Sequence, residues 1–437
     1  MDFVVILIKI HRMKILCSKP LILLVSCLIL VVSCRKGDSG ELVPDANNGA
    51  ISLPEGFAAL VVADSIGPGR HIAVNTNGDI YLALRELKDG HGLVAMRDTT
   101  GDGKADVMIR FGTLPGTGLQ IHKGYLYFAH DRGVIRYKLT GNLLPDMAPE
   151  TIVTGFTPQF QHAAKTIAFD TAGYLYVNVG APSNACQEND RTPGSPGIDP
   201  CPILENYGGI WRFRDDVPNQ TQAVHGTRFA TGLRNCVAID WNAAVNNLYV
   251  VQHGRDQLNQ LFPDIYNDTD NADLPAEEFF MLEEGDDCGW PYCYYDGLQH
   301  VKVLAPEYGG DGNIVGRCPE KKDPLMAFPA HTAPNDLLFY SGSMFPDRYK
   351  NGAFIAFHGS WNRSPVEQKG YYVAFVPFGG RMPVDTWEIF ADGFAGKGPV
   401  MNPGDAVHRP MGLAMGPDGS LYISDSVRGT IWRIFHI

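Results

Sequence analysis

The sequence predicts an all-β protein, a six-bladed β-propeller, from three observations. One phrase recurs six times: an apolar strand, a turn containing Gly or Asn, and a second strand that often opens Leu-Tyr. Most copies are followed by a third strand. Helical periodicity is scarce throughout. Separate sheets of this kind each leave an apolar face and open edges, and radial packing around a channel covers them. Two stacked sandwiches would explain the hairpins but not their shared phrase.

In chain order, the copies are HIAVNTNGDIYLAL, LQIHKGYLYFAH, TIAFDTAGYLYVNV, CVAIDWNAAVNNLYVVQ, DLLFYSGSMFPDRYKNGAFIAF and MGLAMGPDGSLYISD. Third strands follow as GVIRYKL, GGIWRFR, GYYVAFV and GTIWRIF. Spacing varies through inserted loops, notably over residues 255–335. The early strand GFAALVVA, residues 56–63, is expected beside GTIWRIFHI, closing the ring. The propeller therefore spans residues 53–437, preceded by a linker over 34–52. DTTGDGKAD, residues 98–106, opens like a calcium loop, but Ile109 stands where a bidentate Glu belongs, so a turn is expected.

Residues 1–33 read as a lipoprotein signal peptide. From Met13, the alternative start, a basic segment leads into an apolar run and then Val31-Val32-Ser33-Cys34, which resembles a lipobox. The apolar stretch over 20–33 is shorter than the ~20 residues of a membrane span. The expectation is an exported chain, periplasm-facing or on the surface of a bacterial outer membrane, anchored by lipid on Cys34. The whole sequence has 437 residues and a net charge of −12. The signal holds four basic residues and one acidic, so its removal leaves the chain more acidic still, an unfavourable partner for nucleic acid.

Six cysteines follow Cys34, namely Cys186, Cys201, Cys236, Cys288, Cys293 and Cys318. In an exported chain they suggest disulfides. Sequence proximity favours Cys186 with Cys201 and Cys293 with Cys318, leaving Cys236 with Cys288. No CxxC or CxxCH occurs, which argues against a zinc ribbon and covalent haem. No GxSxG or HExxH occurs, which weakens two hydrolase routes.

Propeller geometry places the start of each innermost strand and the end of each second strand at one channel mouth. The first set is Arg70, Gln120, His162 with Lys165, Arg234 with Asn235, Asn335 and Arg409. The second is Arg85, His130, Gln252 with His253, His358 and Asp425. These rings are mostly basic on an acidic protein, a local reversal of sign that favours an anionic ligand.

QHAAKTIAFD with LYVNVGAPSNAC, GLRNCVAID, LYVVQHGRDQLNQL, CGWPYC, FHGSWNR and HRPMGLAMGPDGSLY resemble the soluble quinoprotein sugar dehydrogenases, most of all the sorbosone dehydrogenase branch. The resemblance runs from about Leu53 to the C-terminus. It implies pyrroloquinoline quinone and Ca²⁺ at one mouth, a small sugar substrate, and an external acceptor such as a cytochrome or quinone carrier. A flat cofactor with three carboxylates suits arginine forks, so Arg70, Arg234, Arg363 and Arg409 are the expected cofactor ligands, with Asn235, His253 and His358, and Trp361 as a pocket wall. By the same resemblance, calcium falls on Gly254 and Arg255 with Asp256 near, and the base on His162, whose activity should rise with pH through the histidine range. Glucose-oxidising members carry an Asp supporting the base where this chain has Ala181. The alternatives are a calcium-dependent propeller lactonase or hydrolase, and a noncatalytic glycan-binding propeller.

Overall fold

The computed structural model describes residues 42–437, so the signal segment and Cys34 lie outside the described residues. Six four-stranded antiparallel units follow one another around a ring, as the repeated phrase requires. Blade 1 comprises Gly69–Val74, Ile80–Lys88, His91–Arg97 and Val107–Phe111. Blade 2 runs through Gly116–His122, Tyr125–His130, Gly133–Lys138 and Glu150–Thr154, and blade 3 through Ile167–Phe169, Tyr174–Val179, Gly209–Arg214 and Thr227–Thr231. Blade 4 is Ala238–Asn242, Asn247–Gln252, Glu277–Leu282 and Met326–Phe328; blade 5 is Pro334–Phe339, Ala353–Phe357, Tyr372–Val376 and Glu388–Ala391.

Blade 6 joins the two ends of the described chain. Pro410–Met415, Leu421–Asp425 and Ile431–His436 are completed by Phe57–Ala63, whose residues pair antiparallel with the last strand from Phe57 opposite His436 to Ala63 opposite Ile431. Alternation along this strand serves two interfaces at once. Phe57 and Ala59 pack toward blade 5 with Phe354, Phe375 and Phe390, whereas Ala58, Leu60 and Val62 pack toward blade 1 with Leu82, Leu84 and Val94. Four further apolar clusters fill the remaining seams between successive blades.

The large departure from a plain ring is the insertion in blade 4 between Asn247–Gln252 and Met326–Phe328. It carries the short helices Leu258–Leu261 and Asp268–Asp273 and the hairpin Cys293–Asp296 with Val301–Leu304. Disulfides Cys186–Cys201 and Cys293–Cys318 form as expected. The third expected pair does not: Cys236 and Cys288 remain thiols, both buried in the seam between blades 3 and 4 among Ala168, Tyr176, Ile210 and Leu248. Burial pushes both thiols well above the ordinary range. Residues 98–106 form a turn whose Asp98 carboxylate accepts from the backbone of Thr100, Gly101 and Gly103.

Leu60 is fully buried in the strand that closes the ring. Leu60→Ala should therefore cost about 2–5 kcal/mol, the range for a truncated core leucine, read as a lowered urea midpoint. An unchanged midpoint would mean that the closing strand does not hold the ring.

Candidate functional site

Propeller geometry brings the loops at one end of the channel together around a cavity of about 510 Å³, within the roughly 300–1,000 Å³ of typical ligand sites. Arg70, Arg85, His162, Asn235, His253, Asn335, His358 and Arg409 all line it, drawn from the chain leading into the innermost strands and from the far ends of the second strands. Gln120 does not. It stands four residues into its strand, so it faces the opposite half of the channel with Leu119 and Ile121. Lys165 is also withdrawn: it is fully buried and donates to the Ala163 carbonyl at 2.7 Å.

Three arginines dominate one side. Arg70 has a buried Nε without a partner, and its Nη1 meets only the Met411 sulfur at 3.3 Å. Burial, then the charges of Arg85 and Arg409, lower its pKa to about 10. Arg409 donates through Nε to the His358 carbonyl at 3.1 Å and through Nη2 to the Gly359 carbonyl at 2.5 Å. It too is lowered by burial and by Arg85. Asp131 is the one carboxylate among the described residues lining the cavity. Arg70 and Arg409 are desolvated cations whose guanidinium groups meet only neutral partners, and the exposed Arg85 adds a third positive charge to the lining, the electrostatic form of an anion site.

His162 faces these arginines across the cavity. It adopts a left-handed backbone (φ 53°), and its Nδ1 lies 2.5 Å from the Ala181 carbonyl. That contact requires Nδ1–H as donor, which leaves Nε2 with its lone pair toward the cavity. A backbone carbonyl thus occupies the role for which the resemblance supplies an Asp. Gly180 makes the approach possible, because a Cβ there would fall 2.6 Å from the His162 Cβ. The Gln159 amide pins the same turn, donating to the carbonyls of Gln161 (2.7 Å), His162 (3.0 Å) and Gly180 (2.9 Å). Burial, then Arg234, holds the imidazole well below the usual histidine range. His253 and His358 are likewise kept neutral by burial, the former at about 4. They hydrogen-bond the Pro334 carbonyl at 2.8 Å and the Ser426 hydroxyl at 2.6 Å.

Arg234 sits behind this wall rather than in it. Its guanidinium donates to the Gly254 carbonyl (2.8 Å), to Asn184 Oδ1 (3.0 Å) and to Asp256 (2.7 Å), which also pairs with Arg191 at 2.9 Å. Burial works against ionising Asp256, yet these two charges outweigh it and hold the carboxyl well below the usual range. The Arg255 side chain turns away to a buried pair with Glu307. Of the expected calcium ligands, the Gly254 carbonyl and the Asp256 carboxylate both accept from the Arg234 guanidinium. Among the described residues, no group of three or more His, Cys, Asp or Glu side chains is disposed to hold a metal.

FHGSWNR divides between two tasks. His358 lines the cavity and Gly359 holds Arg409. Beyond them the segment clamps the blade 4 insertion: Asn362 accepts from the Gln257 backbone at 3.1 Å, and Arg363 binds the Ala272 carbonyl and Asp273. Arg363 is thus placed away from the cavity, and Trp361 is not among the cavity's lining residues. Arg85 and Gln159 were not among the expected ligands, although Arg85 stands in the sequence-derived ring.

The TrAA12-like family model matches residues 51–436. A pyrroloquinoline quinone-dependent pyranose dehydrogenase of Coprinopsis cinerea is 23% identical over 422 residues, spanning 88% of this chain and 54% of its own. An uncharacterized protein of Borreliella burgdorferi is 27% identical over 209 residues, 47% of this chain and 48% of its own. The chain thus spans about half the length of the curated relatives it matches. Among solved structures, the holo form of the C. cinerea pyranose dehydrogenase PQQ domain superposes with a TM-score of 0.67 at 20% identity, over 88% of this chain and 97% of that one. The calcium structure of a Trichoderma reesei family AA12 enzyme gives 0.70 at 19%, over 92% and 100%. The PQQ-bound aldose sugar dehydrogenase of Streptomyces coelicolor gives 0.54 at 17%, over 88% and 99%. At these identities the structural likeness carries the six-bladed fold.

Because burial and Arg234 lower the His162 pKa, the imidazole should stay neutral throughout pH 6–8, contrary to the expectation of a rise through the histidine range. Its NMR ring shift should remain flat there, and a titration midpoint near 6.5 would contradict this geometry.

Proposed function

Because the chain belongs to the TrAA12-like family, we propose that its propeller is a pyrroloquinoline quinone-dependent dehydrogenase of sugars. The observation that carries this reading is the trio Arg70, Arg85 and Arg409, which lines a cavity holding a single carboxylate and faces a histidine with an open Nε2. Cations gathered in this way fit a polycarboxylate, since each charge-assisted hydrogen bond contributes about 1.5–3 kcal/mol. A lactonase reading finds less support in a cavity lined by cations.

In this reading Arg70, Arg85 and Arg409 hold the cofactor carboxylates, with Asn235, His253, Asn335 and His358 as neutral neighbours. The bound quinone supplies a two-electron acceptor for hydride from the substrate carbon. His162 Nε2 takes the proton of the oxidised hydroxyl. As that proton arrives, Nδ1–H stays on the Ala181 carbonyl, so the ring keeps its orientation while its charge changes. Arg234, held by Asp256, Asn184 and Gly254, is a fixed positive charge behind His162, and Ca²⁺ at the backbone carbonyls of Gly254 and Arg255 with Asp256 near would help hold and polarise the quinone. An external carrier, a cytochrome or a quinone, takes the electrons onward.

The sorbosone-type branch rests on motif order, so the substrate class proposed is the broader one of aldoses and related sugars. Export and a lipid anchor at Cys34 complete the proposal. Two disulfides agree with an oxidising compartment, and no described helix is long and apolar enough to cross a membrane.

Adding pyrroloquinoline quinone to purified protein should give a saturable bound-quinone absorbance and sugar-driven dye reduction. His162→Ala should keep the quinone and lose about 10²–10⁴ in turnover. Calorimetry should show Arg70→Ala and Arg409→Ala each weakening quinone binding by about 1.5–3 kcal/mol, and absence of any uptake would reject the reading. Exhaustive chelation should lower quinone affinity about tenfold, with calcium restoring it; unchanged affinity would remove the metal from this site.

A further inference from the structure

The cavity is divided by charge. Arg70, Arg85 and Arg409 occupy one side, whereas the stretch from Gln159 to Ala164, with Pro115, forms a neutral side around His162. Phe160 lies at this neutral rim with its ring fully exposed, although it belongs to the cavity lining. It does not trail on a loose loop: the Gln159 amide nitrogen fixes the turn through three carbonyls. Those three acceptors also settle which way the amide points. Gln159 Oε1 is therefore an acceptor, and it is buried without a partner.

An exposed phenyl ring leaves apolar surface in water. A saturated ring with a face of C–H groups and a rim of hydroxyls covers the phenyl ring without placing a charge at the neutral rim. We propose that Phe160 forms a pyranose-binding subsite beside His162, with the sugar ring stacked on the phenyl group, which the Gln159 amide holds in place at the rim. This rests on the dehydrogenase reading above and deepens it, assigning Phe160 as a specificity residue for an uncharged sugar. Stacking of the quinone itself on Phe160 is the competing arrangement.

With quinone-loaded enzyme and D-glucose or cellobiose, Phe160→Ala should raise KM about tenfold, leave kcat within about twofold and leave quinone affinity unchanged; the scale is that of a lost aromatic contact. Phe160→Trp should restore KM. An unchanged KM in Phe160→Ala, or a weakened quinone affinity with KM intact, would overturn the subsite. If the wild type takes up no quinone, the dehydrogenase reading fails separately, and saturation-transfer NMR with cellobiose reads the subsite on the protein as purified. Transfer from wild type but not from Phe160→Ala would support it; equal transfer from both, or none from either, would overturn it.

Discussion

The gathering of Arg70, Arg85 and Arg409 at one mouth of the channel is the constraint around which this molecule is arranged. Like charges gathered at one mouth oppose one another: burial first, and then the charge of Arg85, lowers the Arg70 pKa to about 10. A loop-built site would splay apart to relieve that opposition. Here Arg70 stands at the start of an innermost strand, Arg409 immediately precedes one and Arg85 follows the last residue of its strand paired with Gly69–Val74, and the strands belong to a ring closed by hydrogen bonds between Phe57–Ala63 and Ile431–His436. Closure makes the repulsion a standing property of the cavity, available to whatever anion enters.

The same rigidity disposes the neutral groups. The Ala181 carbonyl follows a second strand of blade 3, and Gly180 beside it leaves the room that His162 needs. Arg234 and Asp256 connect blade 3's exit to the blade 4 insertion, while Asn362 and Arg363 fasten that insertion to blade 5. The residues around the cavity thus fall into two kinds: cations left exposed to a ligand, and cations consumed in holding the walls. Arg234 and Arg363 are of the second kind, although the Arg234 charge is still felt at His162 and His253 in the cavity wall.

Much of this was legible in the sequence because the repeated phrase carries period-2 alternation with Leu-Tyr at the second strand. That pattern fixes where strands begin and end, and so identifies Arg70, Asn235, His253, His358 and Arg409 as mouth residues. Closure by residues 56–63 followed from the same alternation. Tertiary partners were not legible. Nothing in FHGSWNR tells that its arginine meets the Ala272 carbonyl 91 residues away in sequence, or that a guanidinium would settle on the Gly254 carbonyl where an ion was expected. Gln120 lies inside its strand rather than at the mouth because the phrase LQIHKGYLYFAH opens three residues after the strand itself does, at Gly116. Cys236 and Cys288 were paired only by elimination, and two thiols sharing an apolar seam satisfy the packing without a bond. Phe160 gave no signal, since one aromatic in a loop has no periodicity to betray its setting.

The central claim is that the uncompensated arginines form the seat of an anionic quinone. A crystal structure of the protein with pyrroloquinoline quinone bound tests it most directly. The account predicts the cofactor carboxylates on Arg70, Arg85 and Arg409, with the quinone edge turned toward His162 Nε2. A cofactor seated elsewhere, or one whose carboxylates avoid these three arginines, would contradict it.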